Sequence, residues 1–308
     1  MSDSIAMRAV FGEALCEAAH DSRLVVLDAD VSSSTQTILF ARQYPERFFN
    51  FGIAEANMVS AAAGMATCGL IPVVSTFAFL IALRAGDPVR SLIAYNGLNV
   101  KLAGGYAGLS DFADGASHQS VMDLALMRAM PNMTVLVPSD IETTRGAVHA
   151  MLKHDGPVYL RLSRAPVSSC HEGDTSFEIG KARIIREGRD VTLVVCGTML
   201  PAVMEAGQAL AASGIDAAIL EYPTIKPFDR DILIRSARRT GAVVSIEEHS
   251  IIGGLGGAVA EVLSEDCPVR LKRIGIQDSF GESGSYDELL ERFGLSARRI
   301  VETVRSWL

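Results

Sequence analysis

Glu55 is the first residue whose type and position could do chemistry. It stands in the segment Phe51-Gly52-Ile53-Ala54-Glu55, at the start of a helix-like stretch of small, apolar residues. A carboxylate there could simply complement the partial positive charge of a helix N-terminus. It could instead be a buried carboxyl group that shares a proton with a ligand nitrogen, because burial raises the pKa of a glutamate toward a useful range. The residues alone leave both interpretations open.

Asp114 and His118 lie four residues apart in a polar, glycine-rich stretch that contains Gly104, Gly105 and Gly108. An acidic group and an imidazole at this spacing in a loop could bind the hydroxyl groups of a polyhydroxylated substrate. They could also be a turn aspartate and a surface histidine.

Arg164 follows the strand-like run that ends at Leu162. Ligand sites in parallel α/β sheets lie at the carboxyl ends of strands, and a guanidinium group suits phosphate or sulfonate. An interdomain salt bridge is the alternative role for Arg164.

The elements that must position these side chains alternate along the chain. Val/Ile/Leu-rich runs such as Leu24–Leu27, Leu70–Thr76 and Val158–Leu162 are separated by helix-like stretches, including 54–67 and a long one predicted over 77–95. This pattern predicts an α/β protein whose mostly parallel sheets are covered by helices on both faces. A polar segment with Pro166 and Gly173 interrupts it, after which the alternation starts again. We therefore expect two α/β domains, at 1–166 and 179–308, with a linker at 167–178.

Composition excludes several classes of protein. The 308 residues suit two domains, and the net charge of -8 argues against binding to nucleic acid. Met1–Met7 shows no signal-peptide pattern, and no run of about 20 apolar residues predicts a membrane span. The five cysteines contain no CxxC pair, which disfavours a zinc site or a disulfide framework. A cytoplasmic protein with reduced thiols is expected.

Six segments in this order resemble the transketolase family. They are FGIAE, AAAGMA, STF, DGxSHQ, PNMTVLVPSD and LSR, which start at Phe51, Ala61, Ser75, Asp114, Pro131 and Leu162. The run EEHSIIGGLGGAVAE at Glu247 extends the resemblance into the second half of the chain. The resemblance covers nearly the whole chain. It implies the pyrimidine-binding and C-terminal domains of a thiamine-diphosphate-dependent enzyme that transfers a two-carbon ketol unit between sugars.

The resemblance also implies which residues bind the cofactor. Glu55 would hydrogen-bond N1′ of the aminopyrimidine ring and so take part in catalysis. Phe77 would contact the same ring, and Asp30 would lie near the cofactor. Leu80 stands where many transketolases have an aromatic residue, which makes that wall aliphatic here unless Phe79 substitutes.

The substrate-binding residues implied by the resemblance lie on four segments. Asp114 and His118 would contact the sugar hydroxyl groups, His118 also as a catalytic residue. Ser34 and Arg164 would bind the charged group of the substrate. Tyr106 stands where typical transketolases have a phosphate-binding histidine, so the charged group could differ from phosphate.

A Gly-Asp-Gly motif, which in this family binds Mg²⁺ and diphosphate, is absent from the sequence. A magnesium ion takes oxygen ligands from carboxylates and phosphates, and no metal ligand is expected in this chain. We infer that a separate N-terminal subunit carries the motif, supplies the Mg²⁺ ligands and forms an α2β2 assembly. The Gly253–Gly257 run fits no phosphate-binding motif and is interpreted as a tight helix start.

Three rival functions remain at this point. An E1 β subunit of a 2-oxo-acid dehydrogenase would have the same fold and cofactor. A fragment of a deoxyxylulose-phosphate synthase is disfavoured because those enzymes are single long chains. A non-catalytic scaffold subunit is disfavoured because Glu55, Asp114, His118 and Arg164 are all retained.

Overall fold

The computed structural model describes residues 5–171 and 173–308. Residues 1–4, which begin both the predicted first domain and the segment Met1–Met7, lie outside the described residues, as does Glu172 in the predicted linker. The first half contains β1 (Ile5–Ala6), α1 (Met7–Glu17), β2 (Leu24–Asp28), α2 (Ser32–Thr35), α3 (Ile38–Gln43), β3 (Phe48–Asn50), α4 (Glu55–Thr67), β4 (Ile71–Phe77), α5 (Gly86–Pro88), β5 (Lys101–Gly105), α6 (Asp123–Ala129), β6 (Thr134–Leu136), α7 (Ile141–Lys153), β7 (Val158–Arg161) and β8 (Pro166–Val167).

The second half repeats the alternation of strand and helix. Its elements are β9 (Arg183–Arg186), β10 (Val191–Val195), α8 (Leu200–Ala212), β11 (Ala217–Glu221), β12 (Thr224–Lys226), α9 (Arg230–Thr240), β13 (Ala242–Ser250), α10 (Leu255–Asp266), β14 (Arg270–Ile276), α11 (Tyr286–Arg292) and α12 (Ala297–Trp307). The longest helices have 13 residues. Within 5–171 and 173–308, none has the length and apolar character needed to cross a bilayer.

The first sheet has seven strands in the order β12-β6-β7-β5-β4-β2-β3. Neighbouring strands are parallel except β12, which runs antiparallel to β6. Alternate residues of β2 face opposite sides of the sheet: Val25 and Leu27 join one core cluster, and Leu24 and Val26 join another. Both faces of this sheet are therefore buried, as the continuous apolar strands predict.

The second sheet has five strands in the order β14-β13-β10-β11-β9. Four of them are parallel, and β9 forms an antiparallel edge beside β11. Its core includes residues of α8 and α12 packed against β10 and β11. The predicted fold class, two mostly parallel sheets flanked by helices, is confirmed.

The short strand β12 connects the two halves. It comes from the second half of the chain but pairs with β6 of the first sheet, with Thr224 opposite Leu136. Pairing between strands so far apart in sequence gives no local signal. The exact limits of 1–166 and 179–308 stay a prediction.

The helix predicted over residues 77–95 is present over 78–94, but it is largely π-helical and a turn at Ala85 interrupts it. Strand β4 extends to Phe77, and the chain then forms π-helical turns at Leu80–Arg84 and Val89–Ala94 on either side of α5. Gly86 and Pro88 explain the interruption, because glycine weakens a helix and proline has no N–H to donate. Single π-helical turns occur frequently at functional sites.

Two further elements differ from their predicted extents. The apolar run at 242–246 predicts a strand that ends at Ile246, but β13 continues to Ser250 and buries Glu247, Glu248 and His249. A hydrophobicity pattern does not predict a strand at these polar residues, because their burial depends on hydrogen-bond partners elsewhere in the fold. Helix α10 begins at Leu255, inside the glycine run.

Candidate active site

The carboxyl ends of the parallel strands β2, β4, β5 and β7 carry the predicted site residues. Phe77 closes β4, Tyr106 follows β5, and Arg164 lies three residues beyond β7. Ser34 lies in the one-turn helix α2, in the turn that follows β2. Because these strands are neighbours in one parallel sheet, their carboxyl ends meet at the same edge, where ligands bind in α/β proteins.

A buried aspartate shapes the turn after β2. Asp28 accepts hydrogen bonds from the hydroxyl groups of Thr35 and Thr37 at 2.9 and 2.8 Å and from the N–H of Val31 at 2.7 Å. Burial raises the pKa of Asp28, although these hydrogen bonds oppose the shift. The carboxylate thereby folds the turn back on the strand and holds the backbone around Ser34.

Asp30 lies on the exposed side of the same turn. Its backbone is left-handed, with φ at 65°. Its backbone N–H donates to Oδ1 of Asn50 at 3.1 Å, and its carboxylate accepts a hydrogen bond from Nδ2 of Asn50 at 3.1 Å. Asp30 is therefore fixed at the strand ends but faces solvent in this chain.

Aromatic rings from three segments meet at this edge. The ring centroid of Phe77 lies 4.4 Å from that of Tyr106 and 6.1 Å from that of His118. Phe79 lies 6.5 Å from Phe77 and 5.6 Å from His118. Phe79 thus occupies part of the aromatic wall, while Leu80 is buried in the following π-helical turn.

Two arginines approach Tyr106. The guanidinium group of Arg8 donates to the hydroxyl of Tyr106 at 2.8 Å and to the backbone oxygen of Ser34 at 3.0 Å. The guanidinium carbon of Arg164 lies 5.1 Å from the centroid of the Tyr106 ring. The structure thereby brings together Ser34, Tyr106 and Arg164, and it adds Arg8.

The sequence does not predict a role for Arg8. The only signal is a single basic residue in the first turn of helix α1, and a lone arginine is ordinarily a surface residue. Its position beside Tyr106 depends on α1 packing against the strand ends, which the sequence does not show.

Arg164 pairs within its own half of the chain. It donates to Asp111 at 2.6 Å and lies 3.7 Å from Asp114. Asp111 is fully buried, whereas Asp114 is exposed. Both partners belong to the loop that follows β5, so these contacts link the ends of β5 and β7 rather than the two domains.

Glu55 is the first residue of α4 and is only 1% exposed. Both of its carboxylate oxygens accept hydrogen bonds from Nη1 of Arg84, at 3.0 and 2.9 Å. Arg84 closes the π-helical turn that follows Phe79, and half of its side chain is exposed. Glu55 is therefore a buried carboxylate whose charge partner is itself solvent-accessible.

The glycine run before α10 is a helix start. The N–H groups of Leu255 and Gly256 donate to the carboxylate of Glu247 at 2.7 and 2.8 Å. A Cβ atom at Gly256 would meet Ser245 Oγ at 2.8 Å, so glycine allows the close approach. A protein carboxylate thus fills the position where a helix N-terminus could bind phosphate.

Metal-ligating residues do not cluster in the described residues. Within 5–171 and 173–308, no three His, Cys, Asp or Glu side chains come together in a way that could hold a metal ion. The structure thus brings together an aromatic wall, an imidazole and the guanidinium groups of Arg8 and Arg164 at this edge of the sheet. The buried carboxylate of Glu55 lies at the start of α4, where its contact is with Arg84.

Comparison with known proteins identifies the family. Residues 3–168 match the transketolase pyrimidine binding domain, and residues 180–300 match the transketolase C-terminal domain. A putative transketolase C-terminal section of Methanocaldococcus jannaschii is 46% identical over 307 residues, which cover 97% of this chain and 96% of that protein. A 6-deoxy-6-sulfo-D-fructose transketolase subunit of Clostridium sp. is 45% identical over 281 residues, covering 91% of this chain and 87% of that protein.

A solved structure shows the same fold over the same length. It is described as a split gene transketolase, an inactive β4 tetramer, and it shares 48% sequence identity with this chain. The two align with a TM-score of 0.90 over 98% of each chain. This chain belongs to the transketolase family, as its motifs predict.

Proposed function

We propose that this chain is the C-terminal subunit of a split, thiamine-diphosphate-dependent transketolase, a transferase that moves a two-carbon ketol unit from a ketose to an aldose. The observation that carries the proposal is Glu55, a carboxylate 1% exposed at the start of α4. Relatives described as a transketolase C-terminal section and a transketolase subunit support it.

The described residues suit the pyrimidine end of the cofactor. Glu55 offers a buried carboxyl group, and the ring of Phe77 with Leu80 offers an apolar wall. Thr76 Oγ1 is buried at the end of β4 without a hydrogen-bond partner in the described residues, which leaves a polar atom for a ligand. Thiamine diphosphate, when bound, supplies the electron sink for C–C bond cleavage. Asp30 would lie at the edge of this site.

Glu55 would act by holding a proton at N1′ of the ring. Arg84 now pairs with this carboxylate, but its side chain is 52% exposed. Arg84 can therefore turn into solvent when the ring nitrogen takes its place beside Glu55.

The substrate would lie against Tyr106 and His118. Arg8 and Arg164 place two guanidinium groups near Tyr106, and Ser34 contributes the polar turn after β2. Guanidinium groups suit a tetrahedral oxyanion such as phosphate or sulfonate. His118 and Asp114 would bind the hydroxyl groups of the sugar and orient its reacting carbonyl carbon, with His118 able to exchange a proton with an oxygen there.

The partner would be a separate N-terminal subunit that carries Gly-Asp-Gly and supplies the ligands of Mg²⁺. The chain spans 96% of a relative described as a C-terminal section, which supports a division of the enzyme between two chains. The cofactor would then lie between two different polypeptides, and we expect an α2β2 assembly.

Glu55→Gln tests the proposal in the complex with the partner. Glutamine keeps the size of the side chain but cannot exchange the proton, so kcat for ketol transfer should fall roughly 10²- to 10⁴-fold. Steady-state kinetics measures turnover, and calorimetry on the same complex checks that the variant still binds thiamine diphosphate. Glu46→Gln, at a surface position 68% exposed, is the matched control and should leave turnover unchanged.

Two results would contradict the proposal. Full turnover by the Glu55→Gln complex would leave this chain as a scaffold that keeps the fold. Release of CO₂ from a 2-oxo acid without ketol transfer would instead indicate an E1 β subunit.

A further inference from the structure

The loop formed by residues 106–119, called the substrate loop below, carries Tyr106, Asp114 and His118. It belongs to the first half of the chain, yet it contacts the second half at both ends. Near its start, the N–H of Leu109 donates to the carboxylate of Glu248 at 2.6 Å. At its end, Nε2 of Gln119 donates to the backbone oxygen of Glu282 at 3.0 Å.

Glu248 is a buried carboxylate with three donors. It lies on β13, is 3% exposed, and accepts the Leu109 N–H through Oε1. Its Oε2 accepts the hydroxyl groups of Thr198 at 2.8 Å and Tyr286 at 2.9 Å. A carboxylate held by donors on both oxygens cannot rotate without losing one of them, so the position of Leu109 is fixed relative to the second sheet.

The loop backbone packs closely against this carboxylate. Gly108 has φ at 65°, and a Cβ atom there would lie 2.5 Å from Oε1 of Glu248. A second contact supports the middle of the loop, where Gly284 donates its N–H to the backbone oxygen of Phe112 at 3.1 Å. The ring of Phe112 lies 6.2 Å from that of Tyr286.

We infer that Glu248 is a positioning residue for the substrate loop, acting from the C-terminal domain through the Leu109 N–H. By fixing the loop start, it holds Tyr106 beside Phe77 and Arg8, and so prepares the site for a charged sugar. The expected effect on substrate binding rests on the proposed function. The contact by which Glu248 positions the loop does not depend on it.

Amide hydrogen exchange in this chain, without cofactor or partner, measures how strongly Glu248 protects the N–H of Leu109. Glu248→Leu removes the acceptor, and exchange of the Leu109 amide should become roughly 10- to 100-fold faster. Glu248→Gln should stay close to the wild type, because its Oε1 can still accept from Leu109 while its amide donates to the two hydroxyl oxygens. Tyr286→Phe keeps the ring and should give a smaller acceleration of the same amide.

Glu247→Gln is the matched control, since Glu247 lies beside Glu248 on β13 and contacts the start of α10 rather than the loop. It should leave the Leu109 amide unchanged. Unaltered Leu109 exchange in folded Glu248→Leu and Tyr286→Phe chains would overturn the inference. So would a glutamine variant that loosens the loop as much as the leucine variant.

Kinetics with the partner subunit tests the consequence for the substrate. Glu248→Leu should raise KM for an anionic acceptor more than it lowers kcat, and Glu248→Gln should restore KM. An unchanged KM with a loosened loop would refute positioning. If the wild-type complex transfers no ketol unit while the exchange results hold, the proposed function fails and the hold of Glu248 on the loop stands.

Discussion

At the scale of residues, Arg8 and Arg164 reach the same tyrosine from distant parts of the chain. Arg8 bonds to the hydroxyl of Tyr106, and Arg164 lies near its ring. In the proposed function, a tyrosine between two guanidinium groups would bind an anion through charge, a hydroxyl donor and an aromatic surface. Such a site would accept any tetrahedral oxyanion of suitable size, so the identity of the proposed sugar substrate would depend on contacts beyond it.

Arg164→Ala should raise KM for an anionic acceptor roughly 10- to 100-fold, as expected for loss of a hydrogen bond to a charged group. Turnover at saturation should change less, because the guanidinium group binds a part of the substrate remote from the reacting carbon. Steady-state kinetics of the complex with an anionic and a neutral acceptor measures both effects.

The neutral acceptor provides an internal control, because its KM should respond little. Arg164→Lys should lie between the wild type and alanine, since it keeps the charge but loses the planar donor pair. Arg23→Ala, at a position 62% exposed, should behave as the wild type. Equal KM values for the anionic acceptor would remove Arg164 from the anion site.

At the scale of elements, close backbone approaches set the shape of the strand ends. Gly12 of α1 packs against the backbone oxygen of Gln36, in the turn that also carries Ser34. A Cβ atom at Gly12 would come too close to that oxygen, and backbone cannot move aside as a flexible side chain can. The absence of a side chain thus lets α1 bring Arg8 next to Ser34.

Gly12→Ala should destabilise the chain even though alanine favours helix by up to about 1 kcal/mol. Overpacking against a fixed group costs typically about 1–3 kcal/mol, so the clash should prevail. Gly64→Ala is the matched control, because Gly64 lies in α4 with open space where its Cβ would be. It should stabilise by about 0.5–1 kcal/mol. Urea unfolding of both variants measures the difference, and a gain of stability in Gly12→Ala would contradict the close approach.

At the scale of the whole molecule, buried polar contacts connect the two halves. His171, in the predicted linker, bonds to Asp140 of the first half at 2.7 Å and to Glu221 of the second at 2.9 Å. Burial by itself lowers the pKa of His171, but its hydrogen bonds to these two carboxylates and their negative charges outweigh burial and raise it to about 9. A protonated imidazole between two fully buried carboxylates therefore ties the linker to both sheets.

The free energy of unfolding should contain a term from His171 that depends on pH. The folded pKa of about 9 exceeds the unfolded value of about 6.5, so the term is fully present below pH 6.5 and is lost as pH rises through 9. Its size is at most about 3 kcal/mol. Urea unfolding at several pH values should show the stability gap between wild type and His171→Gln shrinking across this window.

The wild type must be compared with His171→Gln at each pH, because Lys101 changes the free energy of unfolding of both proteins in the opposite sense. Subtracting the two free energies removes the contribution of Lys101. Burial lowers the pKa of Lys101 to about 7, so its contribution to stability grows as pH rises toward the unfolded value of about 10.5. His20→Asn, at an exposed position, should track the wild type at every pH. A gap between wild type and His171→Gln that stays constant from pH 6 to about pH 10 would contradict the raised pKa.

The local sequence was sufficient to predict an element where the structure of that element depends on its own residues. The apolar runs of β2, β4 and β7 and the small-residue helix α4 lie where the pattern predicts them, and both sheets follow from their alternation. Arg164 was predicted from its place at a strand end, and Phe77 and Tyr106 from the family resemblance; the structure places all three at one edge, because parallel strands have their carboxyl ends there. The interruption of the helix after β4 was not predicted, because π-helical turns leave no periodicity in the sequence.

By itself, then, the sequence determined the family and the fold class, and it supplied most of the proposed site residues, since the alternation of strand and helix and the motif chemistry are contained in short segments. The tertiary structure alone decided which distant groups complete that site. Arg8 lies 98 residues from Tyr106, and Glu248 lies 139 residues from Leu109. A buried polar side chain gains its role from partners that folding brings to it, and no local pattern names those partners.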